Sequence, residues 1–188
     1  MNKKRIIVGI SGASGVIYGI RLLEVLSKTD YEVHLIISEV AEQIIKHEFG
    51  IEDILEIKKL ASVVYDIKDM AAKISSGSFI TEGMIIAPCS IKTLSGIANS
   101  FNVNLLIRAA DVCLKERRKL VLIVRETPLN LSHLELMIKV TKNGGVILPP
   151  VPSFYHKPKT IDDIVNQTIG KALDQFRIEH NLFRRWGE

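Results

Sequence analysis

Apolar positions along this chain follow two periods, and the period switches repeatedly. Residues 6–8, 32–37, 83–87 and 120–124 are runs rich in Ile, Val and Leu with few polar breaks, the pattern of strands buried on both faces. Between them, apolar residues recur at helical spacing over 16–26, 40–49, 51–57, 90–98, 105–117, 131–140 and about 161–180. Shorter strands are predicted at 62–65 and 146–148. Residues 70–79 have small side chains and little periodicity and read as loop. Pro88 is expected to end the strand at 83–87, and Pro149, Pro150, Pro152 and Pro158 to stiffen a late loop. The alternation predicts an α/β fold in a single domain over 1–188: an open parallel sheet with helices on both faces and right-handed crossovers.

Ligands of such sheets bind outside the carboxyl ends of the strands, and three of those ends carry distinctive chemistry. The first reads Gly-Ile-Ser-Gly-Ala-Ser-Gly from Gly9 to Gly15 and leads into a helix. It is neither the G-x-G-x-x-G of dinucleotide folds nor a Walker A loop. Ala13 also breaks the G-x-S-x-G elbow. A phosphate cradle and a plain tight turn both fit it. The second, Pro88 to Thr93, opens a helix, with Ser90 and Thr93 placed either to bind a ligand or to cap. Cys89 is either a nucleophile or a small buried residue. The third is Arg125-Glu126: Arg125 suits a phosphate and Glu126 proton transfer, or the two form a surface ion pair. Ser38 is placed to cap the helix at 40–49. Tyr155 in the proline-rich loop can donate to a phosphate or pack on a rim. Glu48, Arg108 and Lys171 lie in helical stretches, where charges usually face solvent. Ser11, Ser14 and the serines of 75–78 either line a polar pocket or permit turns.

Composition narrows the classes. The chain has 188 residues, 47% hydrophobic, enough for one sizeable core. A net charge of +4 and one short basic run (Lys115, Arg117, Arg118, Lys119) with no interleaved aromatics argue against nucleic acid. Two cysteines make no disulfide framework, and the histidines show no metal-ligand spacing, so no metal is expected. No segment reads as a signal peptide or a membrane span, which points to the cytoplasm.

Seven segments taken together resemble the UbiX-like flavin prenyltransferases: GISGASG at 9–15, SSGSF at 75–79, PCSIKTLSGIA at 88–98, RAADVCLKERR at 108–118, RETP at 125–128, PPVPSFYHKP at 149–158 and RRWGE at 184–188. The resemblance implies a Rossmann-like or flavodoxin-like subunit assembled as a homododecamer with sites at subunit contacts. It implies transfer of a dimethylallyl group from dimethylallyl phosphate to N5 and C6 of reduced FMN, without metal. The prenylated FMN would serve UbiD-like decarboxylases. By motif, Gly12, Ala13, Ser14, Ser38, Ser90, Ile91, Lys92, Thr93 and Arg125 match flavin-binding positions. Lys115, Tyr155 and Lys171, with Arg125, match the grip on the allyl phosphate, and Arg108 and Trp186 match positions near it. Glu126, Glu48 and Ser14 match catalytic positions, Glu126 as the proton shuttle and Ser14 in its relay. Lys171 replaces a common arginine and loses its bidentate fork. On the same reading Lys115 is a ligand at a subunit boundary, with Arg117 and Arg118 solvated. A cysteine decarboxylase of similar fold and a non-catalytic FMN carrier are the competing readings.

Overall fold

The computed structural model describes residues 3–50 and 54–187. Six strands form one parallel sheet in the order β3-β2-β1-β4-β5-β6. They are β1 (Arg5–Ile10), β2 (Glu32–Ile37), β3 (Val63–Tyr65), β4 (Gly83–Cys89), β5 (Lys119–Val124) and β6 (Val146–Ile147). The helices are α1 (Ile17–Leu26), α2 (Glu39–Phe49), α3 (Leu55–Lys58), α4 (Ile91–Ala98), α5 (Leu105–Lys115), α6 (Leu131–Lys142) and α7 (Ile161–Asp174). This is the doubly wound Rossmann-like order, and the chain reverses its direction of travel across the sheet between β1 and β4.

The continuous apolar runs bury both sheet faces. On one face Ile6, Val8, Ile10, Leu35, Ile85 and Ile123 pack with Leu22, Leu23 and Leu26 of α1 and with Val165, Ile169 and Leu173 of α7. On the other, Ile7, Ile36, Met84, Ile86 and Leu122 pack with Leu94 and Ile97 of α4 and with Leu106, Ala109 and Cys113 of α5. Gly19 brings α1 down onto β4. A Cβ there would stand 2.3 Å from the Ala87 carbonyl oxygen and 2.8 Å from the Ile10 side chain.

Four expectations are corrected. Strand β4 does not stop at Pro88 but continues to Cys89, and its register with β5 shifts between Ile86 and Cys89. Proline's missing N–H is accommodated at that irregularity. The last helix ends at Asp174, not near His180. Arg177 takes a left-handed conformation (φ 55°), and the Ile178 N–H turns back to the Leu173 carbonyl. Ile178 is nonetheless buried, so the apolar spacing outlasts the helix. Helix α5 likewise stops at Lys115, before Arg117 at φ 58°. The loop at 70–79 contains a 3₁₀ turn, Lys73–Ser75, which buries Ile74. Of the helix expected over 51–57, residues 51–53 lie outside the described residues, and α3 accounts for the rest.

Candidate active site

Four strand ends, those of β1, β2, β4 and β5, and the helices they feed build a cleft at the β1/β4 switch point. Ser11 joins two of them. Its buried hydroxyl donates to the Pro88 carbonyl (2.9 Å) and accepts from the Ser90 N–H (2.8 Å), locking the first turn to the entrance of α4. Ser38 follows β2, and its Oγ caps α2 by accepting from the Ala41 N–H (3.1 Å). Ser90 caps α4 by accepting from the Thr93 N–H (3.3 Å), while its own hydroxyl donates to Thr93 Oγ1 (3.1 Å). Both serines therefore cap, and both also line the cleft. That cleft encloses about 320 Å³ and is lined by Gly12, Ser38, Ser90, Ile91, Lys92, Thr93 and Glu126, together with Val40, Asn104 and Ile107.

The last three were not anticipated. Asn104 leaves a signal in the sequence, a side-chain cap immediately before the apolar run of α5, where it accepts from the Ile107 N–H (3.0 Å). Val40 and Ile107 read as ordinary helix residues. Gly12 is needed for its size: a Cβ there would lie 2.6 Å from Val40 Cγ1.

The first turn already holds an anion. Both Glu48 carboxylate oxygens accept from the Gly15 N–H at 3.1 Å, which brings the last turn of α2 against the entrance to α1. Ala13 donates to the Ser11 carbonyl (2.9 Å), and Ser14 is exposed beside it. Arg125 is half-buried on the far side of Gly15, its Cγ 4.0 Å from where a Cβ would stand. It also neighbours Tyr18: burial pushes the Tyr18 phenol up, and the Arg125 charge opposes that. Glu126 Oε1 accepts from the Thr127 N–H (3.0 Å). No Arg125–Glu126 ion pair forms among the described residues, so the surface-pair reading fails and both groups stay available to a ligand. Cys89 is fully buried, and burial pushes its thiol far up, so it is packing and not a nucleophile. Burial likewise pushes Cys113 up to about 12.

The remaining anticipated residues do not line this cleft. Arg108 donates to the Ser75 carbonyl (3.1 Å) and pairs with Asp111 (3.0 Å). Lys115 pairs with Glu116 beside Gly77. Arg118, expected to be solvated, instead donates to the carbonyls of Gly77 and Phe79. Arg108 on α5 and Arg118 just past its end thus hold the Ser75–Phe79 loop by its backbone carbonyls. A second group lies at the other end of the chain. The Tyr155 and Trp186 rings meet edge to face at 5.7 Å, and Lys171 lies 3.6 Å from Asp174.

The fit to a flavin mononucleotide is physical. Three side-chain-capped helix N-termini, those of α2, α4 and α5, converge on the cleft beside a glycine that has no room for a Cβ, an arrangement that suits a single phosphorylated ring system. The profile of the Flavoprotein family matches residues 1–173. The flavin prenyltransferase UbiX of Thauera aromatica is 61% identical over 182 residues, covering 97% of this chain and 93% of that protein. The chain belongs to the UbiX family of flavin prenyltransferases. Among solved UbiX structures, AnUbiX (PadA1) in complex with FMN and dimethylallyl pyrophosphate superimposes with a TM-score of 0.96 at 46% identity, covering 100% of this chain and 99% of that one. A dodecameric FMN-dependent UbiX-like decarboxylase from Escherichia coli O157:H7 gives 0.94 at 45% identity, covering 98% and 100%.

Proposed function

We propose that this chain transfers a dimethylallyl group from dimethylallyl phosphate to reduced FMN, forming bonds at N5 and C6, and that the prenylated FMN serves UbiD-like decarboxylases. The observation that carries this reading is the cleft itself, with Gly12, Ser38, Ser90 and Thr93 on its walls and the Glu126 carboxylate at its rim. Reduced FMN supplies the nucleophilic N5 and C6. The donor's C–O bond breaks, phosphate departs, and the freed allyl carbon bonds N5, which loses its proton; a proton added to the remaining double bond then makes the tertiary carbon electrophilic, and it bonds C6 as the C6 proton leaves. On this reading Glu126 gives and takes the protons of ring closure, with the Ser14 hydroxyl relaying them to solvent. Glu48 fixes the first turn through Gly15, and Arg125 beside that turn supplies positive charge for a phosphate. Gly12, Ala13, Ser14, Ser38, Ser90, Ile91, Lys92, Thr93 and Arg125 form the flavin site.

Lys115, Arg108, Tyr155, Lys171 and Trp186 complete the donor site from neighbouring copies, in a homo-oligomer that we take to be a dodecamer. Two observations support this. These residues sit on two surfaces outside the cleft. Large apolar side chains there and nearby are open to solvent in the isolated chain, Trp186 at 83% and Phe154 at 70%. No helix among the described residues is long and apolar enough to cross a membrane, and we place the enzyme in the cytoplasm. The test is anaerobic incubation with reduced FMN and either dimethylallyl phosphate or the diphosphate, followed by mass spectrometry of the flavin. A flavin heavier by one dimethylallyl unit is expected. An unchanged flavin with both donors refutes the transferase and leaves an FMN carrier.

A further inference from the structure

In the stretch after α7, several polar contacts converge on one carboxylate. Asp174, the last residue of that helix, accepts two hydrogen bonds from the Arg185 guanidinium, at 2.8 Å and 3.2 Å, in a forked pair. Its Oδ1 also lies 3.1 Å from His180 Nε2, which bonds the Gly170 carbonyl at 3.0 Å. Since His180 Nδ1 accepts from the Leu182 N–H (3.3 Å), Nε2 carries the proton and donates to both oxygens. Lys171 completes the cluster, 3.6 Å from Asp174 Oδ2. Gly170 makes room for this return: a Cβ there would stand 2.4 Å from the Phe183 ring and 2.7 Å from the His180 ring. Burial pushes the Asp174 carboxyl up, but the bonds and charge of Arg185 and His180 outweigh it and hold it below the ordinary aspartate range.

Arg185 is adjacent to Trp186, and Trp186 rests on Tyr155. We propose that Asp174 is a positioning residue for the allyl-donor site: by clasping Arg185 and Lys171 it sets Trp186 against Tyr155 and holds the Lys171 ammonium on the same side. A forked Arg–carboxylate pair fixes direction as well as distance, which an exposed tail cannot do for itself. The placement rests on the reading of Tyr155, Lys171 and Trp186 as donor-binding residues. The clasp itself does not.

The single tryptophan makes the clasp observable, because all indole emission comes from Trp186. In the full-length enzyme, Asp174→Asn and Arg185→Gln should shift Trp186 emission and raise its quenching by iodide. Both should raise the KM for dimethylallyl phosphate about tenfold, with kcat and the FMN Kd within about twofold of wild type. Arg185→Lys, which keeps charge without the fork, should recover part of the loss. Arg185→Gln alters a half-exposed side chain, so it decides the matter even if Asp174→Asn does not fold. Wild-type emission and wild-type donor KM in Arg185→Gln overturn the proposal. If the wild-type enzyme makes no prenylated flavin, the proposed function fails. The emission of the variants still decides the clasp: a shift supports it, and no shift overturns it.

Discussion

Replacing Ser11 with alanine removes the one oxygen atom that connects two walls of the candidate cleft. The Ser11 side chain is buried, donates to the Pro88 carbonyl and accepts from the Ser90 N–H. The Pro88 carbonyl keeps a second donor, the Ser11 backbone N–H at 3.2 Å. The Ser90 N–H, at the mouth of α4, keeps none among the described residues. Most of the cost is therefore one unsatisfied, part-buried donor on the cleft wall, about 1–3 kcal/mol. For a chain of this length that lowers Tm by about 2–4 °C per kcal/mol, so a fall of about 4–8 °C is expected for a mid-range loss. Since α4 then shifts relative to the first turn, the Kd for FMN should rise about tenfold. Thermal melts must use one protein concentration, because the proposed assembly would add its own stabilisation. Ser14→Ala, on an exposed neighbour, serves as the stability control and should change stability by less than about 0.5 kcal/mol. A Ser11→Ala protein that melts within about 1 °C of wild type and binds FMN equally well would show that the Ser11 link contributes neither stability nor site geometry.

Three further outcomes are expected. Gly12→Ala puts a methyl group against Val40, which is half exposed and can swing aside, so Tm should hardly move while flavin titration shows FMN affinity reduced at least about tenfold. Glu126→Gln should bind FMN normally but form product about 10²–10⁴-fold more slowly, read from product absorbance; unaltered turnover refutes the proton-shuttle role. His34 is buried, with Nδ1 2.9 Å from the Tyr65 hydroxyl, and burial pushes its imidazole below the ordinary value despite the nearby Glu32. The unfolded chain then binds the extra proton first, so stability is lost as pH falls below about 6.5. His34→Gln should flatten that part of the pH dependence in urea midpoints, and an identical pH profile in the variant would contradict it.

Much of the fold and half of the site were legible in the residues alone, because the information is local. Strand runs announce burial on both faces, helices announce their period, and Ser38 and Ser90 announce caps within three residues of the N–H groups they accept from. The order of strands and helices then forces ligand chemistry to the strand ends, where Gly12, Ser90, Thr93, Arg125 and Glu126 were found. Tertiary structure decided whatever joins distant residues. Ser11 meets Pro88 across 77 positions only because β1 lies beside β4 in a particular register. Val40, Asn104 and Ile107 reach the cleft only through helix packing. Arg118 looked solvated because nothing nearby in sequence marks the carbonyls of Gly77 and Phe79 as its partners. The last helix looked longer because apolar spacing does not distinguish a continuing helix from a chain that folds back and buries Ile178 on the same core. Periodicity reports which side chains are buried. Which groups meet is set by crossing distances and register, and these exist only once the sheet has formed.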